Sequence, residues 1–410
     1  MRAAVLPASL WAPLAGALLL LAACASTPEP RRSYPPVASL PRPSPYPVPA
    51  PLSREPAPRP APYGGPVARQ PLPNASGGVW TAGFAALPGW DREDHAGALD
   101  MFRASCGLQK DVAWREVCLR ARDLGPQDEL ISRAFWETNF RVAPVGDGAG
   151  GEGVLTAYFA PEYPARTSRQ YPFTAPVRPR PANLPSADVG AGGGTVPWLD
   201  RAAIDQIEET RPLAWMKPED LFFLQIQGSG VLDFEDGRRL RAVYAANNGQ
   251  PFTGIATPMR RRGLLAANNT SGDAIRGWLA DNRGPDADAV MQLNPRYIFF
   301  NLQPWDGREP AGAAGVVLTP GRALAVDPSK HDYGAVYWVD GEAPALTGAF
   351  PAYRRLAMAL DTGSAIRGEV RADLYLGTGD AAGVEAGRVK HRLRMWRLIP
   401  VLEPSVADAR

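Results

Sequence analysis

The chain has 410 residues, of which 45% are hydrophobic and 21% charged, and its formal net charge is +2. This composition is that of a globular protein, and the near-zero charge gives no reason to expect nucleic acid or a strongly acidic partner. Without an N-terminal leader and a proline-rich segment, about 330 residues remain, enough for one large domain or two moderate ones.

The first 23 residues have the pattern of a secretion signal. Arg2 supplies the charged start, residues 14–21 form the apolar core, and small residues precede Cys24. The apolar run is too short to span a membrane comfortably. The position of Cys24 resembles a bacterial lipobox, which implies lipidation of this cysteine. An ordinary signal peptide followed by a chance cysteine is the alternative.

Residues 24–75 are predicted to form a tether. More than a third of residues 28–73 are proline, so this segment cannot bury a core and should adopt extended polyproline II structure. Ala25 rather than Asp follows Cys24. In bacterial lipoproteins this implies the periplasmic face of the outer membrane.

The start of the body is predicted to be helical. Helical spacing covers residues 96–103, 112–123 and 128–140. Cys106 and Cys118 are an even pair in an oxidising compartment, so we expect a disulfide between them.

Metal and phosphate sites are disfavoured. The histidines are not at ligand spacing from one another, so we expect neither a metal nor a cofactor; they are His95, His331 and His391. Residues 228–230, Gly-Ser-Gly, lack the lysine of a Walker loop and the helix signal of a dinucleotide loop.

Short strands are predicted after residue 153. Residues 153–162 alternate like a strand, with Thr156 and Tyr158 on one face. A short helix is predicted over residues 201–209. Residues 221–227 are predicted to be a strand that leads through a glycine turn into a second strand, and residues 239–244 pair on to it.

Polar residues cluster around these turns. They are Gln225, Gln227, Ser229 and Asn248. Ordinary turn chemistry is one interpretation, and binding of a polar ligand such as a sugar is the other.

The remaining pattern contains one amphipathic helix and further short strands. The helix covers residues 271–281, and the strands cover residues 294–300, 321–326, 336–339, 356–360 and 394–398. No segment repeats at a fixed period and no alternating βαβ pattern occurs. The sequence therefore favours barrels over a doubly wound sheet.

Two aspartates lie on the last strands. Asp361 ends the apolar strand 356–360, and Gly363 and Gly368 then form a tight loop. On the next strand, Asp373 alternates with apolar neighbours. Burial beside apolar residues can raise the pKa of a carboxylic acid and make it a proton donor. The alternative is that the aspartates only cap turns.

Seven segments together resemble one family, the membrane-bound lytic murein transglycosylase A family. In family order they are Leu87-Pro-Gly-Trp90, Leu155-Thr-Ala-Tyr-Phe-Ala-Pro161, Gln225-Ile-Gln-Gly-Ser-Gly230, Tyr244-Ala-Ala-Asn-Asn-Gly249, Asn294-Pro-Arg-Tyr-Ile-Phe-Phe300, residues 318–327, and Asp361 through Tyr375. The resemblance covers nearly all of residues 80–400. Two departures are Arg371-Ala372 before Asp373, where other members have His-Phe, and Ser364 in place of a common glycine.

The resemblance implies a mainly β fold with N-terminal helices and two domains that flank a groove. A double-psi β-barrel catalytic domain would comprise residues 76–161 and 304–404. A smaller β-barrel, inserted at residues 162–303, would bind substrate.

The resemblance also implies the site. Asp373 would be the catalytic acid, with Asp361 beside it, and the substrate-binding candidates would be Thr156, Tyr158, Gln225, Gln227, Ser229 and Asn248. The expected reaction cleaves the glycan strands of peptidoglycan without water and leaves 1,6-anhydromuramic acid ends. The expected state is a lipid-anchored monomer that can join cell-wall enzyme complexes.

Other functions remain open on the sequence. The run Asp361-Thr-Gly-Ser matches an aspartic protease signature, but the chain lacks a second copy and would have to dimerise. The sequence is also compatible with a non-catalytic wall-binding lipoprotein and with a hydrolase that uses two carboxylates.

Overall fold

The computed structural model describes residues 83–146, 153–185, 197–266 and 268–401. The predicted signal peptide, Cys24 and the proline-rich tether lie outside these residues. The helices are α1 (His95–Ser105), α2 (Val112–Leu124), α3 (Glu129–Asn139), α4 (Arg201–Asp205), α5 (Pro218–Gln227), α6 (Ala256–Arg261), α7 (Gly272–Asp281), α8 (Pro285–Met291) and α9 (Asp380–Ala386). None of the helices in the described ranges has the length and apolar character needed to cross a membrane.

The strands fall mostly in the second half of the chain. They are β1 (Phe140–Pro144), β2 (Gly153–Ala160), β3 (Glu162–Ala165), β4 (Ala175–Val177), β5 (Ala214–Met216), β6 (Gly230–Phe234), β7 (Arg239–Asn247), β8 (Ile298–Pro304), β9 (Ala323–Ala325), β10 (Val336–Gly341), β11 (Tyr353–Asp361), β12 (Arg371–Thr378) and β13 (Lys390–Pro400). The predicted fold class, mainly β with N-terminal helices, is confirmed.

Helices α1 to α3 begin at aspartate caps. The side chains of Asp94, Asp111 and Asp128 each accept a hydrogen bond from a backbone N–H in the first turn of α1, α2 and α3, respectively. Such caps satisfy amides that have no partner within the helix. A disulfide joins Cys106, after α1, to Cys118 in α2.

The larger sheet forms a partly closed barrel. Its strand order is β1-β13-β10-β11-β9-β12-β2, and β2 also pairs with β13. The long strand β13 closes the ring, because residues 390–393 pair with β2 while residues 393–398 pair with β10.

The two faces of this barrel pack against different cores. On β11, Ala357 and Ala359 point into the barrel, where they join Leu374 of β12. Leu356 and Met358 point outward and pack against the helical layer. This period-two alternation buries both faces of β11, as expected for a strand that reads as a nearly continuous apolar run.

The segment between β3 and β8 forms a second, smaller ring of strands. Its main sheet has the order β3-β6-β7-β8, and β4 pairs with β5. A bridge between Arg166 and Trp215 links the end of β3 to β5. A hydrogen bond from Phe300 N to Arg178 O, 3.0 Å long, links β8 to the end of β4. These links close the ring, while the domain boundaries at residues 161/162 and 303/304 stay a prediction.

The predicted strand over residues 221–227 is wrong, because these residues belong to helix α5. Pro218 occupies the first turn and Gly228, with φ 85°, ends the helix in the left-handed conformation. A short apolar run does not distinguish a strand from a buried helix, and the flanking proline and glycine were the informative signals.

Candidate active site

A row of side chains crosses four neighbouring strands of the barrel. Asp373 in β12 has Thr156 in β2 as its partner on one side and Ala325 in β9 on the other. Ala325 in turn has Asp361 in β11 as its partner. Directly paired residues point to the same face of a sheet, so both aspartates and Thr156 share one face. Two strand spacings place the aspartate Cα atoms about 10 Å apart.

A β-bulge brings Asp361 into this row. Ala359 pairs with Leu324, but the next pair is Asp361 with Ala325, so Leu360 is an extra residue in β11. Without the bulge, strict alternation would turn Asp361 to the same side as Ala359, into the barrel interior. Bulges commonly reorient side chains beside active sites in this way.

The carboxyl of Asp373 has the perturbation expected of a proton donor. The hydroxyl of Thr156 donates a short hydrogen bond to its Oδ1. Burial raises the pKa of Asp373 to about 6, and the negative charge of Asp361 adds to this rise. The hydrogen bond from Thr156 and the positive charge of Arg371 oppose it. Burial is the dominant cause, so the carboxyl keeps a proton at a pH at which ordinary aspartates are ionised.

Asp361 is surrounded by hydrogen-bond donors. The Tyr158 hydroxyl donates to Oδ2 at 2.7 Å, and the backbone amides of Ala313 and Thr362 donate to Oδ1 at 2.9 Å each. Burial raises the pKa of Asp361, and these three hydrogen bonds oppose that rise. The donors therefore favour the ionised form of Asp361, whereas Asp373 has one donor among the described residues.

One of these donors comes from a turn at Gly312 whose backbone lies very close to the end of β11. A Cβ on Gly312 would lie 2.4 Å from the carbonyl oxygen of Leu360 and 3.1 Å from the Cβ of Asp361. Only glycine allows the turn to come this near, and the next amide, Ala313 N, thereby reaches Asp361.

The loop between the two aspartates is tied to the barrel. Asp327 accepts a hydrogen bond from Gly368 N at 2.8 Å, and the Thr362 hydroxyl donates to Val326 O at 3.0 Å. The ring Nε2 of His331 lies 2.7 Å from Glu369 O. Gly368 has φ 112°, which strongly favours glycine. The loop thus holds the ends of β11 and β12 at a fixed separation.

Two tyrosines line the row one step along the strands. Tyr158 in β2 pairs with Tyr375 in β12, and their ring centroids lie 5.2 Å apart. The Tyr375 hydroxyl donates to Glu309 Oε2 at 2.5 Å. The Tyr158 hydroxyl, bonded to Asp361, has its pKa raised well above the ordinary value by burial. Tyr158 therefore serves as a proton-bearing donor that orients Asp361.

Gln227, in the segment between β3 and β8, lies beside the row of Thr156, Asp373 and Asp361. Its Oε1 accepts a hydrogen bond from Phe159 N at 3.3 Å, one residue after Tyr158. Ser229 follows in the turn. Gly230 lies against the backbone just after β2, because a Cβ added to Gly230 would lie 2.7 Å from Pro161 O. The turn at residues 227–230 is thus held against the end of β2.

Gln225 and Asn248 lie elsewhere, inside the insert. Gln225 is buried and donates to Ile298 O at 3.2 Å. Asn248 is 1% exposed, and its Nδ2 donates to Leu199 O and Pro295 O at 2.8 Å each. Its Oδ1 accepts hydrogen bonds from the backbone at residues 250 and 297. These contacts are structural, and the predicted sugar contacts of both residues stay untested.

Some residues of the site were not predicted from the sequence. Arg371 donates from Nη2 to the Thr156 hydroxyl oxygen at 2.9 Å. Its position two residues before Asp373, on the same face of a strand, was an available signal. Ala313 and Glu309 gave no such signal, because a turn far from the aspartates in sequence brings them in.

Two features bear on the rival functions. No hydrogen bond joins the Asp361 and Asp373 carboxyls in the described part of the chain, whereas the two aspartates of an aspartic protease share a proton. The number of donors also differs between the two carboxyls, although burial raises the pKa of both.

Two family models match the chain. The model described as the MltA specific insert domain matches residues 154–301, and the model described as the 3D domain matches residues 322–399. The first match begins on β2 and contains Thr156 and Tyr158. The second contains both aspartates, so the two matches together cover the row.

Individual relatives agree with these matches. The chain is 32% identical over 259 residues to membrane-bound lytic murein transglycosylase A of Escherichia coli, and the alignment covers 60% of this chain and 66% of the relative, just under two thirds. The crystal structure of E. coli MltA with bound chitohexaose has a TM-score of 0.59 and 26% identity, with 75% of this chain and 90% of that chain covered.

A longer match comes from a solved structure from Agrobacterium tumefaciens, a membrane-bound lytic murein transglycosylase. It is 30% identical, its TM-score is 0.65, and the match covers 78% of this chain and 96% of that chain. Fold, ordered motifs and both domain matches therefore agree, and the chain belongs to the membrane-bound lytic murein transglycosylase A family.

Proposed function

We propose that this protein is a lytic transglycosylase that cleaves peptidoglycan between N-acetylmuramic acid and N-acetylglucosamine. The main support is Asp373, whose pKa is raised to about 6 by burial and which lies in one row with Thr156 and Asp361. Family membership adds the class of reaction, and the E. coli relative with bound chitohexaose adds the class of substrate.

In the first step, protonated Asp373 donates its proton to the oxygen between the two sugars. The bond from that oxygen to C1 of the muramic acid breaks, and the N-acetylglucosamine leaves with a free 4-hydroxyl. Positive charge then develops at C1, as in other glycosidic cleavages. Asp361 lies on the same face and has three donors that favour its ionised form. Its negative charge would stabilise the positive charge that develops at C1.

In the second step, the ionised Asp373 accepts the proton of the C6 hydroxyl of the same muramic acid. The O6–C1 bond forms, the product is a 1,6-anhydro sugar, and no water is consumed. One carboxyl is enough because it serves first as acid and then as base. The nucleophile belongs to the substrate itself, which supplies a large effective concentration.

The remaining site residues would orient the two carboxyls or bind the sugar. Thr156 fixes the Asp373 carboxyl, and Tyr158 fixes Asp361. Gln227 and Ser229 are proposed to contact sugar from the insert, since their turn lies against the end of β2. Gln225 and Asn248 contribute indirectly, because their hydrogen bonds hold the insert together.

We also propose where the protein works. Its relatives are named as membrane-bound, and the sequence around Cys24 fits a lipid anchor. The protein would be held at the periplasmic face of the outer membrane as a monomer, with residues 24–75 as a tether to the wall.

The test is mass spectrometry of fragments released from purified sacculi. The full-length protein in detergent should release fragments with 1,6-anhydromuramic acid ends. Asp373→Asn should lower the release by at least about a hundredfold, because the amide cannot donate or accept the reaction proton. Its melting temperature should stay within a few degrees of the wild type, since Asn preserves the volume.

Different outcomes would support a different function. Ends with an added water would indicate a hydrolase, and Asp361 would be the first candidate for its second carboxylate. Binding of sacculi without any release by the wild type would indicate a non-catalytic wall-binding protein.

A further inference from the structure

Arg371 lies against the hydroxyl that contacts the acid. Its Nη2 donates to Thr156 Oγ1 at 2.9 Å. Its Nη1 donates to the backbone oxygens of Ala372 at 2.5 Å and Val154 at 3.4 Å. The side chain is half-buried, and the two backbone oxygens hold the guanidinium in one orientation. The hydrogen bonds of Arg371 therefore connect to Asp373 through Thr156.

Arg371 favours one direction for these hydrogen bonds. A guanidinium carries only donors, so the oxygen of Thr156 must accept from Arg371. A cationic donor on that oxygen makes the hydroxyl a better donor and a poorer acceptor, which favours donation of its hydrogen to Asp373 Oδ1. A carboxyl oxygen that accepts in this way is the oxygen without the proton. The proton of the acid is thereby assigned to Oδ2.

We propose that Arg371 is a positioning residue, which acts through the Thr156 hydroxyl to keep the proton of Asp373 on Oδ2, the oxygen presented to the glycosidic bond. This inference rests on the proposed function. It adds which oxygen of Asp373 donates the proton and which residue keeps the proton on that oxygen. If Arg371 were absent, the Thr156 hydroxyl could rotate and accept from Asp373, and part of the acid would carry its proton on the wrong oxygen.

The charge of Arg371 has a second consequence for the same carboxyl. Arg371 opposes the rise that burial causes in the pKa of Asp373. Burial also lowers the pKa of Arg371 itself, while Asp373 raises it. The guanidinium still remains charged, because arginine loses its proton only far above neutral pH. Loss of Arg371 should therefore raise the pKa of Asp373.

The experiment uses four variants of the full-length protein: Arg371→Met, Thr156→Val, the double variant, and Arg115→Met as the control. Arg115 is an exposed arginine on α2, so its loss removes a charge without touching the row. Two quantities are measured for each, the rate of anhydro-end release from sacculi across pH, and the pKa of Asp373 by carboxyl carbon NMR. The Asp373→Asn variant assigns the resonance.

The relay predicts a specific pattern. Arg371→Met should lower kcat by about tenfold to a hundredfold with little change in KM, since orientation rather than binding is lost. Both the NMR pKa and the high-pH limb of the rate should move upward. In the Thr156→Val background, Arg371→Met should change kcat at a pH well below the pKa of Asp373 by less than about twofold, because the relay is already broken. The charge of Arg371 should then affect only the high-pH limb. Arg115→Met should match the wild type.

Two results would overturn the proposal. One is an equal effect of Arg371→Met in both backgrounds, which would mean that Arg371 acts by charge or folding alone. The other is an unchanged kcat in Arg371→Met. The NMR titration does not depend on turnover, so a wild type that releases no anhydro ends would refute the proposed function while the coupling through Thr156 could still be measured.

Discussion

Two polar clusters of this protein make different use of their hydrogen-bonding capacity. At the barrel row, Thr156 gives Asp373 a single donor, and burial leaves the carboxyl with a raised pKa. In the insert, the amide of Asn248 is bonded to four backbone groups, at residues 199, 250, 295 and 297. Both clusters are rich in polar residues in the sequence. Only the first keeps a group whose charge state can change.

The difference shows that the number of hydrogen-bond partners decides whether a buried polar group has a structural or a chemical role. A buried polar group with all of its partners stabilises one conformation and has nothing left to offer a ligand. A buried carboxyl with few partners stays protonated, and it can deliver that proton to a substrate. The contrast between the row and the Asn248 cluster can be tested by substitutions on each side.

After the loss already predicted for Asp373→Asn, the largest effect in this comparison is expected from Asp361→Asn. Loss of this carboxylate removes the negative charge that would stabilise the positive charge developing on the sugar. We therefore expect kcat to fall by about tenfold to a hundredfold. The measurement is the rate of anhydro-end release as a function of pH, and the control is Asp281→Asn, at an exposed residue at the end of α7.

The pH profile of this variant should shift in one definite direction. The proposed reaction needs protonated Asp373, so wild-type activity should be present below about pH 6 and fall as the pH rises through that value. The charge of Asp361 contributes to the raised pKa of Asp373, so its removal should move the fall to lower pH. An unchanged profile would mean that Asp361 does not influence the acid.

A smaller effect on turnover, but a clear effect on stability, is expected from Asn248→Ala. The substitution leaves several buried backbone groups without partners, and we expect a loss of about 2–4 kcal/mol in the free energy of unfolding. Denaturant titration checks the loss, and the rate per folded molecule should stay within about twofold. A large rise in KM with unchanged stability would instead support the sugar contact predicted for Asn248.

Much of this site could be predicted from the sequence. The apolar run before Asp361 and the alternation around Asp373 predicted β11 and β12 because side-chain periodicity is a local property. The flanking glycines predicted the loop between them. Ordered motifs across the chain indicated the family and the aspartate that is proposed as the acid.

The rest depends on contacts that a linear pattern does not contain. The bulge at Leu360 reorients Asp361, yet it is defined only by pairing with β9. Ala313 reaches Asp361 because Gly312 permits a close approach between turns distant in sequence. Helix α5 was predicted to be a strand because its short apolar run outweighed Pro218 and Gly228, which mark its two ends.

The most direct test of the single-carboxyl mechanism is digestion of sacculi in water enriched in oxygen-18, followed by mass spectrometry of the released ends. This mechanism predicts anhydromuramic acid ends with no oxygen-18, because the C6 hydroxyl of the sugar closes on C1. Reducing ends that carry one oxygen-18 atom as the main initial product would contradict it, since water would then be the nucleophile.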